Sequence, residues 1–172
     1  DKTFEKIVEI AKNDKRVRYL SFSRNFGKEA GTIAGLQYAT GEAVILMDGD
    51  LQHPPALVPQ MIEAYREGYD VVSGRRTRTG ESQFRTFLAN RFYKLANRLM
   101  DTPLTDGISE FRLFSRKAVR AILSLNEYNR FSKGLFSWIG FKEKVIEYEN
   151  HVREIGETKY SLKFSWNYAI QG

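Results

Sequence analysis

The sequence feature that most constrains the fold is a short apolar run that ends in acids. Residues 44–47 read Val-Ile-Leu-Met, and Asp48, Gly49 and Asp50 follow directly. A run this short, bounded by a glycine and by acids, is typical of a buried strand in a parallel sheet. The acids then fall at the carboxyl end of the strand, where open α/β sheets bind their ligands.

The acids and the polar residues after them predict a cation site. Asp48 and Asp50 are one residue apart and can both turn toward a single hard cation, and Gly49 lets the backbone come close to a ligand. The amide oxygen of Gln52 completes an oxygen-rich set. A solvated turn is the alternative for a lone pair of acids, and the preceding strand favours a ligand site. For His53, a structural role at a helix start is favoured over metal ligation.

Composition excludes several classes of protein. With 172 residues, 42% of them hydrophobic, the chain can bury one good-sized core and is not expected to be disordered. The absence of cysteine excludes disulfides, zinc-thiolate sites and a cysteine nucleophile. The sequence has no run of about 18 apolar residues, so no membrane span is predicted. The net charge of +6, spread through the chain, predicts phosphate contacts and not a nucleic-acid arm.

Hydrophobic spacing predicts alternating helices and strands, followed by a less regular second half. In the first half we expect a parallel sheet with helices on its faces, built from helix 4–11, strand 17–22, helix 28–39, strand 44–47, a helix from 54 that ends at Gly68, and strand 70–73. In the second half we expect helix 84–99, strand 111–115, helix 117–123, helix 131–138 and strand 145–150. We find no linker, and predict one domain over 1–172.

Familiar phosphate-binding motifs are absent. The segment from Gly27 to Gly31 does not supply the Gly-x-Gly-x-x-Gly of a dinucleotide-binding fold, and no Gly-Lys-Ser/Thr of a P-loop occurs. An aspartyl phosphatase could use Asp48, but the threonine expected after the second acid is missing. These classes are therefore disfavoured.

Six ordered motifs resemble those of family 2 glycosyltransferases, in the branch of dolichol-phosphate mannose synthase and bacterial bactoprenol-phosphate glucosyltransferases. They are 1–3 (Asp-Lys-Thr), 23–28 (Ser-Arg-Asn-Phe-Gly-Lys), 47–55 (Met-Asp-Gly-Asp-Leu-Gln-His-Pro-Pro), 73–76 (Ser-Gly-Arg-Arg), 111–116 (Phe-Arg-Leu-Phe-Ser-Arg) and 153–160 (Arg-Glu-Ile-Gly-Glu-Thr-Lys-Tyr). The resemblance covers nearly the whole chain. It implies a Rossmann-like GT-A fold with a mostly parallel sheet, and inverting transfer of a hexose from a UDP- or GDP-sugar to a polyprenyl phosphate at the cytoplasmic membrane face.

The chain departs from the family pattern at both ends. The family's first strand and its nucleotide-holding acids are missing, except that Asp1 matches the last of those acids. Many members also continue into transmembrane helices after a segment like 160–172. We therefore expect a catalytic domain cut at both ends, with the full protein anchored in the membrane. The aromatic-rich segment 160–172 fits either a membrane-interface segment or a terminal helix packed on the domain.

On the donor side, the residues and the resemblance assign Asp50 and Gln52 to Mg²⁺ or Mn²⁺, and Asp48 to metal or nucleotide. Asp50 is thereby also a catalytic candidate, because a cation on the leaving diphosphate lowers the barrier. Asn25 and Gly27, at a predicted strand-to-helix turn, are nucleotide-binding candidates. A plain Asn/Gly turn is their alternative.

The basic candidates share a shape or charge suited to phosphate. Arg75, beside Arg76 after a predicted strand, is assigned to the nucleotide phosphates. By resemblance, Arg85 lies on the acceptor side, and Arg153 and Lys159 bring positive charge to the acceptor or pyrophosphate.

A general base is the remaining assignment. Asp106 is a base or acceptor-positioning candidate by resemblance, with a turn residue as the alternative. A phosphate acceptor, with a second pKa of about 6, is largely ionised near neutral pH and need not lose a proton to a base.

The expected partners are thus a nucleotide sugar, a polyprenyl phosphate and a membrane surface, without nucleic acid, and self-association into a homo-oligomer stays open. The rival function is a non-catalytic module that binds a nucleotide sugar or a phospholipid.

Overall fold

The computed structural model describes residues 2–77, 91, 107–125 and 140–149. The chain divides into two compact units, Asp1–Tyr38 and Ala39–Gly172. A single catalytic domain over 1–172 stays a prediction. Within the described residues, no helix combines the length and the hydropathy of a membrane span.

The first unit contains two helices, α1 (Thr3–Asn13) and α2 (Lys28–Tyr38), which confirms the predicted helices. In α1, Glu5 in the first turn and Lys12 in the last complement the helix dipole. Asp14 ends the helix and accepts hydrogen bonds from the Arg16 side chain, which lower the pKa of that carboxyl group.

The predicted strand 17–22 is wrong within the described residues, where this segment has no regular secondary structure and belongs to no sheet. Its only backbone hydrogen bond to another described loop residue is from Val17 N–H to the Asp14 carbonyl, at 3.0 Å, which closes a turn. A strand requires a ladder of hydrogen bonds to a neighbour, and alternating hydrophobicity does not supply one.

The second unit contains a sheet and its helices. In chain order these are β1 (Ala43–Leu46), a 3₁₀ turn (Pro55–Leu57), α3 (Val58–Arg66), β2 (Val71–Arg76), β3 (Ile108–Ser115), α4 (Arg116–Ser124) and β4 (Glu143–Tyr148). The sequence predicted the strands and the two α-helices to within a few residues, and it predicted the first turn of a helix at 54–57, where the structure has the 3₁₀ turn. A turn at Gly68, whose φ is 91°, follows α3 and ends this helical segment, as the sequence predicted.

The strand order is β1-β3-β2-β4. Strand β3 runs antiparallel to both β1 and β2, and β4 runs parallel to β2. Strands β1, β2 and β4 all point the same way, and β3 lies between β1 and β2 in reverse. The α/β class is confirmed, but the described sheet is mixed, because two of its three pairings are antiparallel and β1 pairs with an antiparallel strand. The carboxyl ends of β1, β2 and β4 therefore meet the amino end of β3 at one edge of the sheet.

Strand β1 is half-buried, although the sequence predicted a buried strand. The reason is its position at the end of the described strand order, where it pairs with β3 alone. An end strand keeps more of its surface accessible than a central one.

The core lies between α3 and the sheet. It comprises Leu57, Met61, Ala64, Val72, Phe111, Leu113 and Tyr148. Helix α4 buries Ala118, Val119 and Ile122, at helical spacing. Its first turn is fixed by Ser115, whose Oγ accepts from Ala118 N–H at 3.1 Å and donates to Asp70 Oδ1 at 2.8 Å.

Arg112 is a buried arginine of β3, 2% exposed. Its Nε donates to the Ser109 carbonyl at 3.3 Å. Burial lowers the pKa of Arg112, while the charges of Glu143 and Glu110 raise it. These contacts give Arg112 a structural role within the sheet.

Gly74 lets β2 approach two aromatic side chains. A Cβ atom at this position would lie 2.9 Å from Tyr148 Cε1 and 3.2 Å from the Phe111 carbonyl oxygen. The second contact is with backbone, which cannot move aside as a side chain can. Any larger residue would therefore push the rings of Phe111 and Tyr148 out of place.

We predict that Gly74→Ala lowers the free energy of unfolding by about 1–3 kcal/mol, because the added methyl group overpacks this contact. Gly35→Ala is the matched control. Gly35 lies in α2 with no atom within 4 Å of an added Cβ, so alanine should be neutral or stabilising by up to about 1 kcal/mol. Urea unfolding of both variants measures the difference, and equal stability of the two would contradict the close packing.

Candidate active site

One edge of the sheet in the second unit brings together polar residues from four strand ends. Asp48, Asp50, Gln52 and His53 follow the end of β1, and Arg76 is the last residue of β2. Tyr148 ends β4, and Gly107 precedes β3. The acids thus lie just beyond the carboxyl end of a strand, as the sequence predicted.

The acidic turn, residues 48–53, is fixed by its own side chains. Asp50 Oδ1 accepts from Gln52 N–H at 3.2 Å, and His53 Nδ1 accepts from Asp48 N–H at 3.1 Å. Between them, Leu51 has a φ of 63°, a left-handed conformation that non-glycine residues rarely adopt. Two local hydrogen bonds therefore hold a strained turn, of the kind found at ligand sites.

His53 is the buried member of this turn, with 2% of its surface exposed. Its ring stacks on Phe111, with centroids 5.1 Å apart and planes at 10°, and meets Tyr148 edge-on at 6.5 Å. Because Nδ1 accepts the Asp48 N–H, a neutral ring carries its proton on Nε2. This arrangement supports the structural role that the sequence favoured, since Nδ1 is occupied by backbone.

Arg76 lies against the acidic turn. Its Nε donates to Tyr148 Oη at 3.1 Å, its Nη2 donates to Gln52 Oε1 at 3.3 Å, and Nη2 lies 3.3 Å from His53 Nε2. Its backbone N–H donates to the Gly107 carbonyl at 3.0 Å. The guanidinium is thus held next to the oxygen donors of the turn.

Arg75 points elsewhere, because its guanidinium forms an ion pair with Glu147 on β4. The sequence raised both arginines and favoured Arg75 for phosphate binding, and that role of Arg75 stays a prediction. The two-residue alternation of side chains along β2 indicates that Arg76, and not Arg75, lies on the face of the acidic turn. Val72 faces the core, so Gly74 and Arg76, two and four residues later, share its face.

Asn25 and Gly27 belong to the first unit. Gly27 N–H donates to Asn25 Oδ1 at 2.9 Å, and Gly27 has a φ of 89° directly before α2. This is the geometry of an Asn/Gly turn at a helix start. Nucleotide binding by these residues stays a prediction.

The donor atoms of the acidic turn fit a hard cation. Asp48, Asp50 and Gln52 offer carboxylate and amide oxygens, and Mg²⁺ is commonly held by one or two carboxylates together with substrate phosphates. Among the described residues, no group of three or more His, Cys, Asp or Glu side chains forms an all-protein cage. The turn therefore suits a cation that a bound phosphate helps to hold.

Several predicted site residues lie outside the described residues: Asp1, Arg85, Asp106, Arg153, Lys159 and the segment 160–172. The predicted helices 84–99 and 131–138 lie there too. Their roles stay predictions.

The sheet, its helices and the acidic turn after β1 place the protein among α/β enzymes with a Rossmann-like fold of the GT-A type. The protein-family model for "Glycosyl transferase family 2" matches residues 1–123, and the chain belongs to this family.

Curated relatives carry related names. The chain is 49% identical over 172 residues to "Putative glycosyltransferase CsbB" of Bacillus subtilis (strain 168), a match that covers 100% of this chain and 52% of that relative. It is 39% identical over 173 residues to "Bactoprenol glucosyl transferase" of Shigella phage SfX, covering 100% of this chain and 57% of the relative. The chain thus spans about half the length of the curated relatives it matches.

A solved structure supports the fold alone. The 4-diphosphocytidyl-2C-methyl-D-erythritolsynthase from Anaerococcus prevotii DSM 20548 matches with a TM-score of 0.53 at 17% identity. The match covers 97% of this chain and 73% of that one.

We predict that Leu51→Asn raises the free energy of unfolding by about 0.5–1 kcal/mol, because asparagine tolerates the left-handed conformation that strains leucine. Leu51 is 70% exposed, so little burial is lost. Met47→Asn is the control, since Met47 is 48% exposed and has no positive φ. Urea unfolding should show a gain for Leu51→Asn only. A loss of stability in that variant would contradict the strained turn.

Proposed function

We propose that the protein is a metal-dependent glycosyltransferase that transfers a hexose from a UDP- or GDP-sugar to a polyprenyl phosphate, with inversion, at the cytoplasmic face of the membrane. The observation that carries the proposal is the contact between Arg76 Nη2 and Gln52 Oε1, 3.3 Å apart. It puts a cation suited to phosphate beside oxygens suited to a metal. Family membership and a relative named bactoprenol glucosyl transferase support the same reaction.

On the donor side, Asp48 and Asp50, with Gln52, would hold Mg²⁺ or Mn²⁺, which when bound neutralises charge that builds on the departing nucleoside diphosphate. Asp50 keeps its orientation through the hydrogen bond from Gln52 N–H. Asp48 is held through its backbone by His53. The turn is therefore preorganised before a donor arrives, which avoids reorganisation during the reaction.

On the acceptor side, Arg76 offers a planar guanidinium to a phosphate oxygen. That oxygen forms a bond to the anomeric carbon of the hexose while the bond from this carbon to the nucleotide diphosphate breaks, and attack from the opposite side inverts the configuration. A phosphate acceptor is largely ionised near neutral pH, so no protein base has to remove a proton. Arg85, Asp106, Arg153 and Lys159 are proposed to assist acceptor or pyrophosphate binding.

A lipid-linked acceptor requires access to a membrane surface. We propose that 160–172, with its mixture of aromatic and polar residues, lies at that surface. The net charge of +6 favours the anionic cytoplasmic leaflet.

Asp50→Ala, made in the intact protein that contains this chain, should reduce transfer by more than about a hundredfold and abolish the Mn²⁺ dependence of UDP binding, because it removes a carboxylate that holds the cation. Asp14→Asn, at a half-buried acid of the first unit, is the control and should transfer sugar like wild type. A radiolabelled sugar-transfer assay and titration calorimetry provide the two measurements, with circular dichroism as the check of the fold.

Ordinary turnover by Asp50→Ala would overturn the metal assignment. Binding of Mn²⁺ and UDP by wild type without any turnover would instead favour the non-catalytic binding module.

Arg76→Ala should raise the acceptor KM by roughly tenfold to a hundredfold, because a charge-assisted hydrogen bond to phosphate is worth about 1.5–3 kcal/mol. Arg76→Lys should recover part of the loss, since it restores charge without the planar fork. Arg66→Ala, an exposed arginine at the end of α3, is the control. Steady-state kinetics with farnesyl phosphate measures the acceptor KM. An unchanged value in Arg76→Ala would exclude this arginine from the acceptor site.

A further inference from the structure

We propose that His53 is a positioning residue that fixes the acidic turn and the head of Arg76 relative to each other. The inference rests on the proposed function, in which the turn serves the donor and Arg76 the acceptor. His53 acts through the two nitrogens of its ring. Nδ1 contacts the backbone of Asp48, and Nε2 lies against Arg76.

The ring of His53 is held in place by packing. It is almost fully buried, stacked on Phe111 and bordered edge-on by Tyr148. Phe111 and Tyr148 belong to β3 and β4, and both are packed tightly against Gly74 of β2. The imidazole therefore packs on side chains of β3 and β4 that are themselves held against β2, and groups that touch it take their position from the core.

The Nδ1 edge of the ring fixes the acidic turn. Nδ1 accepts from Asp48 N–H at 3.1 Å, at the point where the chain leaves β1. A backbone donor has a fixed direction, so this hydrogen bond sets where the turn begins. The side chain of Asp48, and Asp50 after it, are positioned through this hydrogen bond.

The Nε2 edge sets the position of Arg76. Because Nδ1 is an acceptor, Nε2 of the neutral ring bears a hydrogen. Arg76 Nη2, 3.3 Å away, also bears hydrogens and cannot donate to Nε2. It donates instead to Gln52 Oε1, at the same distance. The ring thus acts as a spacer that directs the guanidinium onto the acidic turn.

Two substitutions separate these two edges. His53→Phe keeps a planar ring that can stack on Phe111 and space Arg76, but it has no acceptor for Asp48 N–H. His53→Asn provides an amide oxygen near the place of Nδ1, but it lacks the far edge of the ring. The two variants should therefore damage opposite halves of the site.

We expect His53→Phe to weaken binding of Mn²⁺ with UDP by roughly threefold to tenfold, the effect of one lost hydrogen bond, with the KM for farnesyl phosphate little changed. His53→Asn should raise the farnesyl phosphate KM by a similar factor and leave binding of Mn²⁺ with UDP near wild type. Titration calorimetry, steady-state kinetics and melting temperatures on the intact protein measure these effects. A purely structural histidine would instead lower both affinities together, in step with the melting temperature, and that result would overturn the inference.

A spectroscopic measurement tests the same inference without depending on turnover. In wild type labelled with ¹⁵N-histidine, NMR should find His53 protonated at Nε2 and unprotonated at Nδ1, and the Asp48 amide should exchange with solvent faster in His53→Phe. Protonation at Nδ1, or unchanged exchange, would overturn the positioning role whatever the activity. If wild type passes this test but does not transfer sugar to farnesyl phosphate, the proposed function fails and the positioning of the turn by His53 still stands.

Discussion

The close packing of Phe111 and Tyr148 around Gly74 is the interaction on which the rest of the site depends. It joins β2, β3 and β4 on the core side of the sheet, where a Cβ atom on Gly74 would approach the Phe111 carbonyl to 3.2 Å. The two rings pack against the ring of His53, and Tyr148 Oη also accepts a hydrogen bond from Arg76 Nε. The positions of the acidic turn and of Arg76 are therefore determined by an apolar contact inside the sheet.

The reversed strand β3 explains how so many polar groups meet. Because β3 runs opposite to β1 and β2, its amino end lies beside their carboxyl ends. Gly107, with φ of 74°, then approaches Arg76 and accepts its backbone N–H. The predicted candidate Asp106 immediately precedes Gly107 in the chain. A fold with only parallel neighbours would have placed the start of β3 at the opposite edge.

The sequence predicted local elements well and long-range pairings poorly, for a physical reason. Spacing reports which side chains an element can bury, so it located α3 and β2 to within a few residues. It does not report a ladder partner, and the strand that it predicts over 17–22 is therefore wrong. The antiparallel pairing of β3 and the stacking of His53 on Phe111 are contacts between residues far apart in the chain, and spacing does not predict such contacts. The two-residue alternation of β2 places Arg76 on the same face as Val72, so this signal of the sequence could have predicted its place at the site.

The central claim is that the acidic turn and Arg76 act as one site, and a double-mutant cycle tests it most directly. The intact protein would be assayed for transfer from UDP-glucose to farnesyl phosphate as wild type, Gln52→Ala, Arg76→Ala and the double variant. Because the two side chains touch at 3.3 Å, their effects on kcat/KM should be coupled by about 1 kcal/mol or more. Effects that add to within about 0.3 kcal/mol would show that the turn and the arginine work independently, and would contradict the account.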